Sequence, residues 1–341
     1  AAMKREKAYV CRDGRRETAK TAARAKRWRK LFMYCFIVNP HCRSGKGKRV
    51  WEAVERILKR ESVLYESYQT EKKGDARRFA QMLTQCCQEP RVIVAVGGDG
   101  TMNEVLDGLN FSPMITVGYI PAGSGNDLAR SLGFSGRPGK CLRRILASRQ
   151  YKLLDYGVLT MGRQGEHRRF AVSAGIGMDA EVCQEAGNRG KRRLFDHLKQ
   201  SRLVYGLMGI KLLKKTEGMR GYVVLDGVKK IEFNYIYFMS AHIHPFEGGG
   251  FRLAPCADGS DGMLNVCVVS HASRIRLFKT LALAFLSRKK RGKGKGIRTY
   301  ECREAVFHLE NPALVHADGE VCGEWNEIQV ECIGRQIRMI V

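Results

Sequence analysis

The run Gly97-Gly98-Asp99-Gly100-Thr101-Met102-Asn103-Glu104 follows the apolar residues Val92-Ile93-Val94-Ala95-Val96 and opens a helical pattern. Glycines let a backbone approach a phosphate closely, and the free N–H groups and dipole of a helix start favour the anion. Asp99 suits the oxygen shell of Mg²⁺, directly or through water. The same residues also fit a tight turn closed by a capping box between Thr101 and Glu104. The chain has no Gly-x-x-x-x-Gly-Lys-Ser/Thr loop, so a phosphate cradle here is of another kind. Three further turns combine glycine with polar or basic side chains: Asn39-Pro40-His41-Cys42-Arg43-Ser44-Gly45-Lys46-Gly47-Lys48, Thr70 with Gly74-Asp75, and Pro121-Ala122-Gly123-Ser124-Gly125-Asn126-Asp127. Each alone reads as an ordinary turn. Placed together at strand ends along one sheet edge, they argue for a single nucleotide pocket.

Acidic turns recur in the second half. His316-Ala317-Asp318-Gly319-Glu320 carries the Asp-Gly of a hairpin, and Asp258-Gly259-Ser260-Asp261-Gly262-Met263 reads as a solvated acidic turn. Gly175-Ile176-Gly177-Met178-Asp179-Ala180 fits a loose dinucleotide fingerprint but lacks the strand–helix–strand context, and is set aside. His242 and His244 show no third ligand and read as polar or core histidines.

The elements that must position these turns follow from periodicity. Phe32–Val38, Val63–Thr70, Arg91–Val96 and Met114–Ile120 read as strands. Helical spacing separates them: Val50, Val54, Ile57 and Leu58; then Phe79, Met82, Leu83 and Cys86 on one face; then 101–109, 127–132 and 140–147. Such alternation implies a parallel sheet covered on both faces, a Rossmann-like three-layer α/β domain over 31–150. After Tyr151 the alternation stops, and short strands at 221–225, 233–240, 264–269, 305–309, 314–317, 327–332 and 336–341 imply an antiparallel β domain over 151–341. Residues 1–30 form a basic extension, a mobile tail or a surface helix. Two domains are expected from 341 residues.

The net charge of +26 implies attraction to polyanions: nucleic acid, nucleotides or anionic headgroups. The 12 cysteines lack metal-ligand spacing and read as reduced thiols of a cytoplasmic protein. No signal peptide is visible, and the apolar run around Leu277–Leu286 contains Lys279 and is too short to span a bilayer.

Taken in order, the Gly-Gly-Asp-Gly-Thr-Met-Asn-Glu run, Asn39-Pro40 with Ser44-Gly45-Lys46, Thr70 with Gly74-Asp75-Ala76, and Pro121 to Asp127 resemble the diacylglycerol kinase catalytic domain, most of all the soluble bacterial enzymes and their YegS-like lipid kinase relatives. The resemblance implies an α/β nucleotide domain followed by a β-sandwich, and an ATP- and Mg²⁺-dependent lipid kinase, most directly one that makes phosphatidic acid from diacylglycerol. It implies ATP contacts at Asn39, Ser44, Gly45, Thr70, Gly98, Asp99, Gly100, Thr101, Met102, Asn103, Glu104 and Ser124, although His41-Cys42-Arg43 lengthens the first loop. Asp99, Asp127 and Asp155 match the acidic positions of the catalytic Mg²⁺ network. Asp318-Gly319-Glu320 matches the motif facing the γ-phosphate, with Glu320 the first choice as proton acceptor and Asp318 its partner. Asp261, with backbone oxygens of Asp258 and Met263, matches a structural Mg²⁺ loop.

Basic and apolar residues interleave in Lys191–Lys215 and Arg274–Arg298, segments suited to an anionic headgroup layer and equally to core helices with solvated faces. Peripheral membrane association is therefore expected, and a homodimer is compatible with it. A sphingoid base or another lipid alcohol is the alternative acceptor. A basic nucleic-acid-binding protein is the alternative from another class, but no helix-turn-helix, zinc or aromatic-platform signal supports specific nucleic-acid binding.

Overall fold

The computed structural model describes residues 32–134, 136–148, 150–162, 165–187, 208, 209, 211, 212, 215–270, 273, 275 and 296–341. It also describes two short antiparallel strands, β1 (Tyr9–Val10) and β2 (Arg16–Glu17), within the basic extension expected to be a tail or helix. The segments 191–215 and 274–298, singled out for membrane contact, lie largely outside the described residues.

The apolar run after Leu31 becomes β3 (Met33–Val38), buried from Tyr34 onward. It lies between β4 (Tyr65–Gln69) and β5 (Arg91–Gly97), and β5 pairs on its other side with β6 (Ile115–Pro121), all in parallel. Parallel strands require crossovers, supplied here by α1 (Cys42–Arg60), α2 (Asp75–Thr84), α3 (Asp99–Gly108), α4 (Asp127–Ser131) and α5 (Pro138–Ala147). Helices on both faces explain why β3, β5 and β6 are apolar throughout instead of alternating. Successive residues feed opposite layers: Phe36 packs with Trp51, Val54 and Leu142, whereas Ile37 packs with Ala80, Leu83 and Met102. The expected face of α2 is corrected. The helix buries Ala76, Ala80 and Leu83, leaves Met82 half exposed, and ends before Cys86. A Cβ at Gly108 would stand 2.1 Å from the Arg77 carbonyl, so α2 and α3 meet backbone to backbone and only small side chains fit between them.

The second unit contains β7 (Lys152–Met161), β8 (Glu166–Phe170), β9 (Ser173–Gly177), α6 (Met178–Gly187), β10 (Met219–Leu225), β11 (Lys229–His242), β12 (Leu264–Ser270), β13 (Ile297–Cys302), β14 (Glu304–Ala317) and β15 (Glu320–Met339). Every pairing among these strands is antiparallel. The segments expected at 305–309 and 314–317 merge into β14, and those at 327–332 and 336–341 merge almost entirely into β15, each with register shifts where the pattern broke. β15 does not stay in this unit. Met339 pairs in parallel with Val117 of β6, and Ile337 and Met339 enter the same core as Ile93 and Tyr119. One 13-stranded sheet therefore runs through both units.

Candidate active site

Backbone and side-chain contacts bring the four turns together. The Ala122 N–H donates to the Gly97 carbonyl (2.6 Å), and a Cβ on Gly123 would lie 2.5 Å from the Gly98 Cα, so the turns after β5 and β6 touch without side chains between them. Asn39 Nδ2 donates to Thr101 Oγ1 (3.1 Å), which ties in the turn after β3. The Thr70 N–H donates to the Val38 carbonyl, adding the turn after β4. The lengthened first loop is absorbed by left-handed backbone at Arg43, Ser44 and Gly45 at the start of α1. Ser124 is exposed on its turn.

α3 starts at Asp99, so Gly98, Asp99 and Gly100 form its first turn, with the amides of a phosphate cradle. The capping box is not formed: Thr101 Oγ1 serves Asn39, and Glu104 Oε2 accepts from the amides of Gly74 (3.1 Å) and Ala76 (3.2 Å), stabilising the start of α2 instead. Three side chains expected at ATP are thereby committed elsewhere. Met102 is core, Glu104 caps α2, and Asn103 Nδ2 bridges to the Arg169 carbonyl and to Asp318, both at 2.8 Å.

Two acids lie behind the glycine turn. Burial pushes Asp99 up to about 6, opposed by amides of Asp127, Asn126 and Leu128 at the start of α4 and reinforced by Asp318. Its Oδ1 is buried without a hydrogen-bond partner. Asp127 accepts from the Gly249 amide (2.8 Å) and from Arg130 (2.6 Å), and burial with Asp99 nearby raises it to about 7. An orphaned buried oxygen beside mutually repelling carboxylates is an environment a hard cation would relieve. Asp155 is drawn to a different place. Its two oxygens accept from the amides of Gly262 and Arg335, both at 2.7 Å, and its own N–H donates to Gly259. It thus braces the Asp258–Met263 loop, where the sequence assigned it to the catalytic network. In that loop Asp261 Oδ1 accepts from the Met263 amide, Asp258 pairs with Lys152 (3.3 Å), and burial with Asp258 and Asp155 raises Asp261.

Asp318 and Glu320 stand at the hairpin between β14 and β15 in sharply different settings. Asp318 has φ +49, and its carboxylate is filled: Oδ2 accepts from Asn103 and the Ala171 amide, Oδ1 from the amides of Val172 and Ser173, all at 2.7–3.0 Å. Glu320 is partly exposed. Its Oε1 lies 3.6 Å from where a Cβ on Gly100 would stand, and its Oε2 meets Lys73 and Arg168.

Beneath this hairpin is a cluster the sequence reading passed over. His316 Nε2 lies 3.2 Å from Asp179 and 3.4 Å from Glu247, and His242 Nε2 lies 3.5 Å from Glu247. The three groups Asp179, Glu247 and His316 are close enough to share a metal ion. His316 Nδ1 lies 3.3 Å from the Gly319 N–H, and Nε2 is turned between the two carboxylates. The cluster is therefore a hydrogen-bonded support for the hairpin. The signal was present in the set-aside fingerprint: Gly175 exists because a Cβ there would meet Asp179 Oδ2 at 2.1 Å.

A glycine turn at a sheet edge facing a carboxylate from a β domain is an arrangement suited to phosphotransfer. Residues 33–159 match the diacylglycerol kinase catalytic domain and 171–341 the YegS C-terminal NAD kinase beta sandwich-like domain; the chain belongs to this lipid kinase family. It is 28% identical over 293 residues to "Putative lipid kinase YtlR" of Bacillus subtilis, covering 84% of this chain and 93% of that one. It is 28% identical over 252 residues to a diacylglycerol kinase of Mycobacterium tuberculosis, covering 72% and 76%. A crystal structure from Bacillus anthracis, described as a "putative diacylglycerol kinase", shares the fold with TM-score 0.70 at 21% identity, covering 91% of this chain and 97% of that one. Among the described residues no helix is long and apolar enough to cross a membrane.

Proposed function

We propose that this chain transfers the γ-phosphate of ATP to the hydroxyl of a membrane lipid, diacylglycerol in the first place, yielding phosphatidic acid. The observation that carries this is the contrast within one hairpin: Asp318 has its oxygens filled by four donors, while Glu320 presents a carboxylate toward the glycine turn. Glu320 is thus the proton acceptor and Asp318 the anchor that positions it. The lipid hydroxyl oxygen attacks the γ-phosphorus and forms the new P–O bond. The bond from phosphorus to the bridging oxygen breaks, and ADP leaves with that oxygen and its electron pair. Glu320 takes the hydroxyl proton. Backbone amides at Gly98–Gly100 stabilise the phosphates, with Asn39, Ser44, Gly45, Thr70, Thr101 and Ser124 lining the nucleotide side. Asp99 and Asp127 would hold Mg²⁺, which neutralises phosphate charge when bound. Asp261, with the carbonyls of Asp258 and Met263, would hold a structural ion. A net charge of +26 supports peripheral docking on an anionic surface.

The test is labelled-ATP transfer in mixed micelles against diacylglycerol, monoacylglycerol, phosphatidylglycerol, sphingosine and NAD. Glu320→Gln should lower kcat by about 10²–10⁴-fold with its melting temperature unchanged, and Asp99→Asn should abolish transfer. Phosphorylation of NAD alone, or undiminished lipid transfer in both variants, refutes it. Vesicle co-sedimentation should require anionic lipid and weaken with salt.

A further inference from the structure

We infer that Lys73 and Arg168 are the cations that grip the transferring phosphate, and that Glu320 stands in for that phosphate when no nucleotide is bound. This rests on the phosphotransfer reading above. Lys73 Nζ and Arg168 Nη2 each lie 3.1 Å from the same oxygen, Oε2 of Glu320. They reach it from opposite units, Lys73 from the turn between β4 and α2 and Arg168 from β8. The other oxygen of Glu320 faces Gly100, so both cations stand where the glycine turn meets the acceptor carboxylate.

The guanidinium is only half used. Nη2 makes the contact, while Nε of Arg168 is buried with no partner. Those two N–H groups share one edge, a fork shaped for two oxygens of a carboxylate or phosphate. Residues 97–104 contain no Lys or Arg, and the chain has no P-loop lysine, so the cradle itself supplies only amides. Transfer of a phosphoryl group needs cationic stabilisation of its oxygens. Neither Lys73 nor Arg168 was singled out by the sequence reading, because each sits in an unremarkable basic stretch, Lys72-Lys73 and Arg168-Arg169.

The pairing has a consequence for timing. While both cations engage Oε2, the carboxylate is held against Lys73 and Arg168 and away from an incoming acceptor hydroxyl. A γ-phosphate arriving beside Gly100 offers several oxygens and more negative charge than one carboxylate, so it draws both cations from Glu320. Arrival of ATP thereby frees the proton acceptor. ADP ends one phosphate short and leaves the pairing in place, so the site distinguishes substrate from product nucleotide.

The test is calorimetric titration of the full chain, with Mg²⁺, using ADP and a non-hydrolysable β,γ-imido analogue of ATP, together with lipid phosphorylation rates. Glu320→Gln, which releases the cations, should bind the triphosphate analogue several-fold more tightly than wild type and ADP equally. Lys73→Gln and Arg168→Gln should bind ADP as wild type does, and lose on the order of 10- to 100-fold in triphosphate affinity. Their kcat should fall by roughly a thousandfold or more, with KM for the lipid little changed. Arg168→Lys should restore part of the triphosphate preference but not kcat, since it keeps the charge and loses the fork. Lys73 is largely exposed, so Lys73→Gln carries the test even if Arg168→Gln unfolds. Folded variants with wild-type triphosphate preference and kcat overturn the inference alone. A wild type that binds neither nucleotide and phosphorylates no lipid overturns both readings.

Discussion

Replacing Asp318 by alanine separates anchoring from chemistry. In the folded chain the Asp318 carboxylate accepts from the backbone amides of Ala171, Val172 and Ser173 and from Asn103 Nδ2. Alanine leaves three backbone N–H groups and a side-chain amide without that acceptor. An unsatisfied buried donor costs about 1–3 kcal/mol. With water or small backbone shifts relieving some of the four, the expected loss is roughly 3–6 kcal/mol. That is a large share of the ~5–15 kcal/mol that holds a typical protein folded. At about 2–4 °C per kcal/mol for larger domains, the melting temperature should fall by roughly 10 °C or more. Asp318→Asn should be intermediate, because it keeps one acceptor oxygen and turns an NH₂ toward donors. Circular dichroism melts with urea titrations report the stability, and labelled-ATP transfer below the melting point reports the activity. A melting temperature within about 2 °C of wild type, together with abolished transfer, would refute the anchor role and make Asp318 the chemical group.

Three other outcomes follow from the geometry. Asp99 and Asp127 are raised to about 6 and about 7 from an ordinary 3.8, so between about pH 4 and 7 the folded state keeps protons the unfolded state has lost, and stability falls as pH rises through that window; in chelator, melts from pH 5 to 8 should show this slope in wild type, shallower in Asp127→Asn, and added Mg²⁺ should restore stability near pH 7. Gly123→Ala places a Cβ 2.5 Å from the Gly98 Cα, backbone that cannot yield like a side chain, and should cost about 1–3 kcal/mol in urea titration along with nucleotide affinity; Gly125→Ala would meet the Asp99 carboxylate at 2.9 Å and should also weaken nucleotide binding. His316→Asn leaves Asp179 and Glu247 facing each other without the imidazole and the Gly319 amide without its acceptor, and should destabilise by about 3–5 kcal/mol in the same titration.

The α/β half was legible because its signals are local. An apolar strand, a glycine turn and a helix start occupy a dozen adjacent residues, and their period survives in the sequence. The second half was less so. β9 reads Ser-Ala-Gly-Ile-Gly, with Ile176 its only β-branched residue, because it lies fully buried between β11 and β14, where Gly175 and Gly177 leave no room for a Cβ. β8, Glu-His-Arg-Arg-Phe, is polar along most of its length and resembles a loop. Site residues divide in the same way. The glycine turn announces itself, but what Asp155, Met102 and Glu104 touch depends on partners distant in sequence, as when Glu104 caps a helix some thirty residues earlier. Asp179, Glu247 and His316 could not be assembled from spacing, since three elements far apart in the chain bring them together.

The course of β15 explains how so divided a site holds its shape. The strand begins at Glu320 beside Gly100 and ends at Met339 paired with Val117 of β6. β6 in turn ends at Pro121, and the turn that follows presses Gly123 against Gly98. A continuous run of backbone thus leads from Glu320 along β15, across to β6 through the Met339–Val117 pairing, and back to the glycine turn. Asn103 closes the loop from the other side by joining α3 to Asp318. With backbone fixing the turn and the hairpin together, the long side chains of Lys73, Arg168 and Glu320 are the groups at this junction that rotate freely, and they are the ones on which the proposed choice between ATP and ADP would rest.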